Sequence, residues 1–228
     1  MANNYLTFYK QLPKRFVEMG SVCPSSRWLA KDMVRPLAEK VGAKRILEVG
    51  AGTGPFTRKI LAEMGPDDTL SICEINAFLL NQLKKSLEGN SHYLAHKDRI
   101  VFVRGSIEDL PSLYPDAEFD VIVSGLPFSN FSPNDVENIL NLLCKMLAKN
   151  GCLSFFEYIG IRKFGNFAPS AKHRARIRGV ESIIRKWKLE ASRSGAVTTN
   201  ISLLNIPPAL AVHYVRSDGP NSNSPLVN

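Results

Sequence analysis

The chain has little with which to bind a metal or cross-link itself. Only 4 of its 228 residues are cysteines, and Cys23, Cys73, Cys144 and Cys152 show no C-x-x-C or C-x-H spacing. Zinc sites and disulfide frameworks need sulfur ligands at short or regular intervals, so neither is indicated. Three of the four lie in apolar runs and read as small core residues in a reducing compartment. No apolar run approaches the roughly 18 residues that cross a bilayer. The opening MANNYLTFYKQLPKRF lacks a basic-then-apolar leader with a small-residue cleavage site, which argues against secretion. There is no internal repeat and no long linker. Acidic residues are the scarcer charge: 21 Asp and Glu stand against 29 Lys and Arg, a formal charge of +8 with a pI near 9.4. Such a field favours anionic partners, whether nucleic acid, an anionic membrane or a phosphorylated substrate. It does not choose among them.

What is present is an alternation. Residues 1–40 read as a helical cap. Tyr5, Phe8, Tyr9, Leu12 and Phe16 recur at helical spacing beside Lys10, Lys14 and Arg15, with Pro13 interrupting. A further helix starts near SSRWLAKDMVRPLAEK, with Pro24, Ser25 and Ser26 as its start signal. From residue 44 the strand-like runs KRILEVG, TLSICEI, RIVFVRG, FDVIVSG and GCLSFFEY alternate with helical segments at 55–64, 76–88 and 133–148. That pattern predicts an α/β domain over 41–217, a doubly wound, mostly parallel seven-stranded sheet. After a basic helix around 172–187, KLEASRS and ALAVHYVRS read as two strands of a closing antiparallel hairpin. The polar, proline-containing end at 218–228 reads as a disordered tail.

The segment ILEVGAGTGPF joins the first strand to a helix. Gly50, Gly52 and Gly54 allow positive φ and close backbone approach, and the following helix N-terminus offers free N–H donors. A dinucleotide fingerprint needs glycine at the sixth position of G-x-G-x-x-G, where this chain has Pro55. The turn therefore argues against NAD. The second strand ends at Glu74-Ile75, where a carboxylate can accept both hydroxyls of a ribose. The third ends in RGSIEDL, where Ser106 and Ile107 are placed to flank an adenine. Together with Glu48 inside the first strand, this set resembles the class I S-adenosylmethionine-dependent methyltransferases, whose first motif reads E/D-x-G-x-G-x-G. The resemblance implies S-adenosylmethionine as cofactor and a Rossmann-like fold. It also implies a cofactor contact at Ser124, which ends the fourth strand.

The acceptor must present a lone pair to a sulfonium methyl, and SGLPFSNF after strand four faces the cradle. Three stretches, GSVCPSSRWLAKDM, SGLPFSNF and NIPPALAVHYVR, resemble the bacterial phospholipid N-methyltransferases, which act on phosphatidylethanolamine toward phosphatidylcholine. The first two are also similar to ribosomal RNA adenine dimethylases, the alternative acceptor class. Ser124 stands where nucleobase amino-methyltransferases carry an amide or carboxylate. The lipid resemblance implies a cytoplasmic enzyme docked on the inner face of the cell membrane, with an anionic surface and a phospholipid as partners. Aromatic faces hold a methylated ammonium by cation–π attraction of ~0.5–2 kcal/mol. Phe128, Phe131, Tyr158, Tyr5 and Tyr9 are the candidates, with Leu126 and Pro127 completing an apolar shelf. Tyr158 and Phe128 are the expected catalytic-site pair, Tyr158 positioning the amine. His213 reads as structural. The basic run Arg162, Lys163, Lys172, Arg174, Arg176, Arg178, Arg185, Lys186 and Lys188 contains one acid, Glu181, and suits lipid headgroups or RNA phosphates equally.

Overall fold

Strands covered on both faces must be apolar at nearly every position. The runs RILEV, TLSIC and FDVIVS meet that demand as β1 (Arg45–Val49), β2 (Thr69–Cys73) and β4 (Phe119–Ser124), while IVFV forms the edge strand β3 (Ile100–Val103). With β5 (Leu147–Tyr158), β6 (Gly195–Ser202) and β7 (Ala209–Arg216) they make one seven-stranded sheet in the order β3-β2-β1-β4-β5-β7-β6. β1 to β5 run parallel, and β7 is antiparallel to both β5 and β6. This is the doubly wound α/β sheet with a reversed last strand that the alternation implies. The computed structural model describes residues 26–116, 118–159, 171–205 and 207–217. Tyr5, Tyr9, Lys10, Lys14, Arg15, Cys23, Arg162, Lys163, the side chain of Lys172 and the 218–228 tail lie outside them.

The first described helix, α1 (Arg27–Glu39), begins where Ser26 Oγ accepts from the Leu29 N–H at 3.2 Å. It is followed in the chain by α2 (Pro55–Glu63), α3 (Ala77–Leu87), the short α4 (Ser91–His96) and α5 (Leu110–Leu113), then α6 (Pro133–Lys145) and α7 (Ala171–Ser194). α1, α2 and α3 cover one face of the sheet. Leu29, Met33, Phe56, Ile60 and Leu83 meet Ile46, Ile72, Val121, Val123 and Phe156 there. α6 and α7 cover the other, over Leu47, Val49, Ile122, Leu153 and Phe155. None of the residues of α4 is buried, so it has no apolar stripe to betray it in the sequence.

One expectation fails in the closing region. KLEASRS is not a strand; it is the last part of α7, and the hairpin is β6 with β7. Alternate apolar residues in K-L-E-A suggested period two, but the buried stripe Ile177, Val180, Ile184, Trp187, Ala191 steps by three and four. Leu189, which a strand would bury beside Ala191, is 67% exposed, and Ala191 is fully buried. The β-branched run in GAVTTNIS carries the strand instead.

Candidate active site

The strand order reverses between β1 and β4, so the chain leaves those two strands in opposite directions and opens a crevice at their carboxyl ends. Backbone demands shape the turn after β1. Gly52 has φ +55°, and a Cβ built on it would meet nothing within 4 Å. The space above it is open. By contrast, a Cβ on Gly125, just after β4, would lie 2.5 Å from the Gly50 carbonyl oxygen. Gly125 N–H donates to the Val49 carbonyl at 2.7 Å, so the two turns touch backbone to backbone. Only glycine fits that contact, and the sequence offered no spacing that singled it out.

Glu74 closes the cradle from β2. Its Oε2 accepts from Gly52 N–H at 2.9 Å and its Oε1 from Asn76 N–H at 2.8 Å. It is 2% exposed. Burial pushes its carboxyl above the ordinary range, and the N–H groups of Asn76, Gly52 and Ile75 pull it back. Each oxygen keeps a second lone pair for a hydroxyl donor. Gly50, Glu74, Ile75, Ser106 and Ile107 all line one cleft of about 410 Å³ of empty space, partly open to solvent. Leu126, Phe131 and Ile139 wall its far side. Asp109 Oδ2 accepts from Ser106 N–H at 2.7 Å and fixes the third loop. Cys73, expected only as core, also borders this cleft, as does Glu108.

Four of the sequence-derived cofactor residues, Glu48, Gly52, Gly54 and Ser124, do not line this cleft. Glu48 is fully buried and does not line the cleft; its Oε2 accepts from Thr57 Oγ1 at 2.7 Å, tying β1 to α2. Burial raises its pKa to about 8. Ser124 is likewise fully buried and absent from the cleft wall. Both therefore act from beneath the turns. Gly54 caps α2 at φ +83°.

A second cleft, also of about 410 Å³, lies on the other side of the Leu126–Phe131 stretch, lined by Phe128, Ser129, Phe156, Glu157, Tyr158 and the α7 residues Ile177, Val180, Glu181 and Ile184. Tyr158 ends β5 and packs edge-on against Phe156 with centroids 5.1 Å apart. Phe128 is only 2% exposed and belongs to a run of stacked rings, with centroids 5.5 Å from Phe155, which in turn lies 5.6 Å from Trp187. Its first role is therefore packing, with an edge on the cleft. Phe131 contacts Phe128 at 6.5 Å but faces the first cleft. Pro127 is half-buried between the two. Glu157 pairs with Lys188 of α7. Neither Glu157 nor Glu181 was singled out as a site residue from sequence; one acid in a basic run was the faint signal. His213 lies beneath α1's face of the sheet, its Nδ1 2.8 Å from Ser154 Oγ, with burial lowering its pKa to about 4.

A family model described as a methyltransferase domain matches residues 46–151, which carry the glycine turn, Glu74 and the Ser106 loop. The ornithine lipid N-methyltransferase of Singulisphaera acidiphila is 26% identical over 151 residues, 65% of this chain and 74% of that one. The chain is an S-adenosylmethionine-dependent methyltransferase. The methyltransferase is also 30% identical over 120 residues to the ubiquinone/menaquinone biosynthesis C-methyltransferase UbiE of Vibrio parahaemolyticus, half of this chain but 41% of that relative's length. Among solved structures, the O-methyltransferase TomG from Streptomyces achromogenes, in complex with its methyl donor, matches with a TM-score of 0.59. That pair shares 16% identity over 95% of this chain and 92% of the other, a likeness of fold. The open space above Gly52 and the buried, oriented Glu74 fit the ribose-bearing donor. Among the described residues no helix is long and apolar enough to cross a membrane.

Proposed function

We propose that this methyltransferase transfers methyl groups to the amine of a membrane aminolipid, with phosphatidylethanolamine and its partly methylated products the first candidates. One observation carries the reading: the second cleft sets two carboxylates, Glu157 and Glu181, among aromatic and aliphatic walls, in a chain whose net charge is +8. An incoming ammonium would share the Glu157 carboxylate with Lys188 and find a second carboxylate in Glu181. Tyr158 and the edges of Phe128 and Phe156 offer π faces to a cation that grows more apolar with each methyl. The lipid named for the Singulisphaera relative supports an amine on a lipid in general. The stretches that resemble phospholipid N-methyltransferases favour phosphatidylethanolamine in particular.

When bound, S-adenosylmethionine supplies a methyl group on a positively charged sulfur. Gly50, Gly52, Glu74, Ile75 and Ile107 would hold it. Glu157 and Glu181 accept hydrogen bonds from the incoming ammonium and orient it. An ammonium has no lone pair, so the amine reacts after losing a proton, and its carboxylate neighbours provide the first acceptors on the way to solvent. Leu126 and Phe131 exclude water from the junction of the clefts. Docking is proposed to use the basic, aromatic segment around Tyr5, Tyr9, Lys10, Lys14 and Arg15.

The test is incubation of the purified protein with labelled donor and vesicles of phosphatidylethanolamine with phosphatidylglycerol, alongside unmodified ribosomal RNA. Label in lipid-borne amine supports the reading. Label in RNA alone sinks it and favours the adenine acceptor.

A further inference from the structure

The tip of the β6–β7 hairpin presents three large apolar residues to water: Ile201, at the end of β6, is 62% exposed, and Leu203 and Leu204, in the turn, 71% and 64%. Isolated exposed leucines are ordinary, but three within four positions form a patch. The base of the turn is built firmly. Asn205 is 3% exposed; its Oδ1 accepts from Ser26 N–H at 2.9 Å and its Nδ2 donates to the Pro207 carbonyl at 2.7 Å. A buried amide thus pins the turn to the start of α1 while the two leucines remain outside.

Strand register places this tip. Ala209 pairs with Tyr158 on one side and with Ser202 on the other, so the turn stands beside the end of β5, on the same rim as the second cleft. Outside the Glu157 and Glu181 carboxylates of the cleft, exposed basic side chains flank the turn. Arg27 stacks on Trp28 at 5.0 Å in the first turn of α1, and Lys31 is exposed one turn further on. Arg174 and Arg178 are exposed on the part of α7 that lines the cleft. An apolar tip flanked by Arg27, Lys31, Arg174 and Arg178 matches the layered chemistry of an anionic bilayer, with acyl chains below and phosphates above.

We propose that the β6–β7 turn inserts into the interfacial layer of an anionic membrane, with Leu203 and Leu204 among the acyl chains and Arg27 and Lys31 at the phosphates. This turns the mouth of the second cleft toward the headgroups. The inference rests on the aminolipid reading for its choice of a bilayer as partner, but its test does not depend on turnover. Full-length protein is sedimented with vesicles of phosphatidylcholine alone or of phosphatidylcholine with phosphatidylglycerol. The Leu203→Glu/Leu204→Glu variant is expected to partition about a hundredfold more weakly, roughly tenfold for each leucine. Donor affinity and melting temperature stay unchanged, which separates lost docking from lost folding. Arg27→Gln/Lys31→Gln is expected to remove the preference for phosphatidylglycerol while retaining weak binding to both vesicles. Equal partition of the leucine variant and the wild type overturns the proposal. So does a wild-type dimer, formed without lipid, that the leucine variant dissociates, because the tip would then be a self-interface. If vesicle binding responds as described while no lipid is ever methylated, the docking stands and the substrate reading falls.

Discussion

The two clefts on the carboxyl rim are built in different ways. The donor cleft is made chiefly of the turns that follow β1, β2 and β3 in close order, with the Glu74 and Glu108 carboxylates, and Leu126, Phe131 and Ile139 close its far side. The second cleft, proposed for the acceptor, is made of side chains from three elements, the stretch after β4, the end of β5 and the first half of α7, which the chain brings together from a distance. The contrast explains why one half of the activity is so much easier to read than the other. A donor shared by many enzymes can be held by φ angles and N–H groups that a short motif encodes. An acceptor peculiar to one enzyme is met by side chains whose meaning emerges only after folding.

The largest expected effect breaks the donor side alone. Gly52→Arg places a side chain in the open cradle at a positive φ, and donor affinity by calorimetry should fall more than about a hundredfold with the fold retained. Unchanged affinity would move the donor elsewhere. Next, Trp187→Ala removes a fully packed ring behind Phe155 and Phe128. It should cost about 3–5 kcal/mol of stability in urea unfolding and weaken acceptor use far more than donor binding. Equal losses on both sides would show that the clefts do not depend on separate supports. Glu157→Gln and Glu181→Gln should each raise KM for the amine about tenfold and leave donor affinity alone. A shift in donor affinity instead would merge the two sites.

The smallest effect is a dependence of stability on pH. Glu48, with its pKa raised to about 8 from 4.5, contributes stability that is complete below pH 4.5 and lost as pH rises through 8. His213, with its pKa lowered to about 4 from 6.5, contributes stability present above 6.5 and lost as pH falls through 4. Between 4.5 and 6.5 the two slopes oppose each other. Melting temperature should therefore decline chiefly above pH 6.5, and Glu48→Gln should remove that decline. A decline that survives the substitution would place its origin outside β1.

The sequence made the sheet legible because buried parallel strands must be apolar throughout, and it made the glycine turn and Glu74 legible because local backbone geometry requires them. It was less informative about which way a side chain points. Glu48 and Ser124 sit at strand positions the motif identifies, yet both are sealed beneath the turns. KLEASRS alternates on paper like a strand, and only the continuation of the Trp187 stripe to Ala191 decides for helix. Glu181 looked like a stray acid among arginines until α7 packed beside Tyr158.

Finally, the stretch from Leu126 to Phe131 is a party wall. Leu126 and Phe131 face one chamber, Phe128 and Ser129 the other, and Gly125 clamps the wall's foot to the first turn. Kinetic constants for the two substrates cannot be tuned independently by altering this partition. Attempts to redirect the enzyme to a new acceptor have a freer hand on α7, whose cleft-facing side chains border one chamber only.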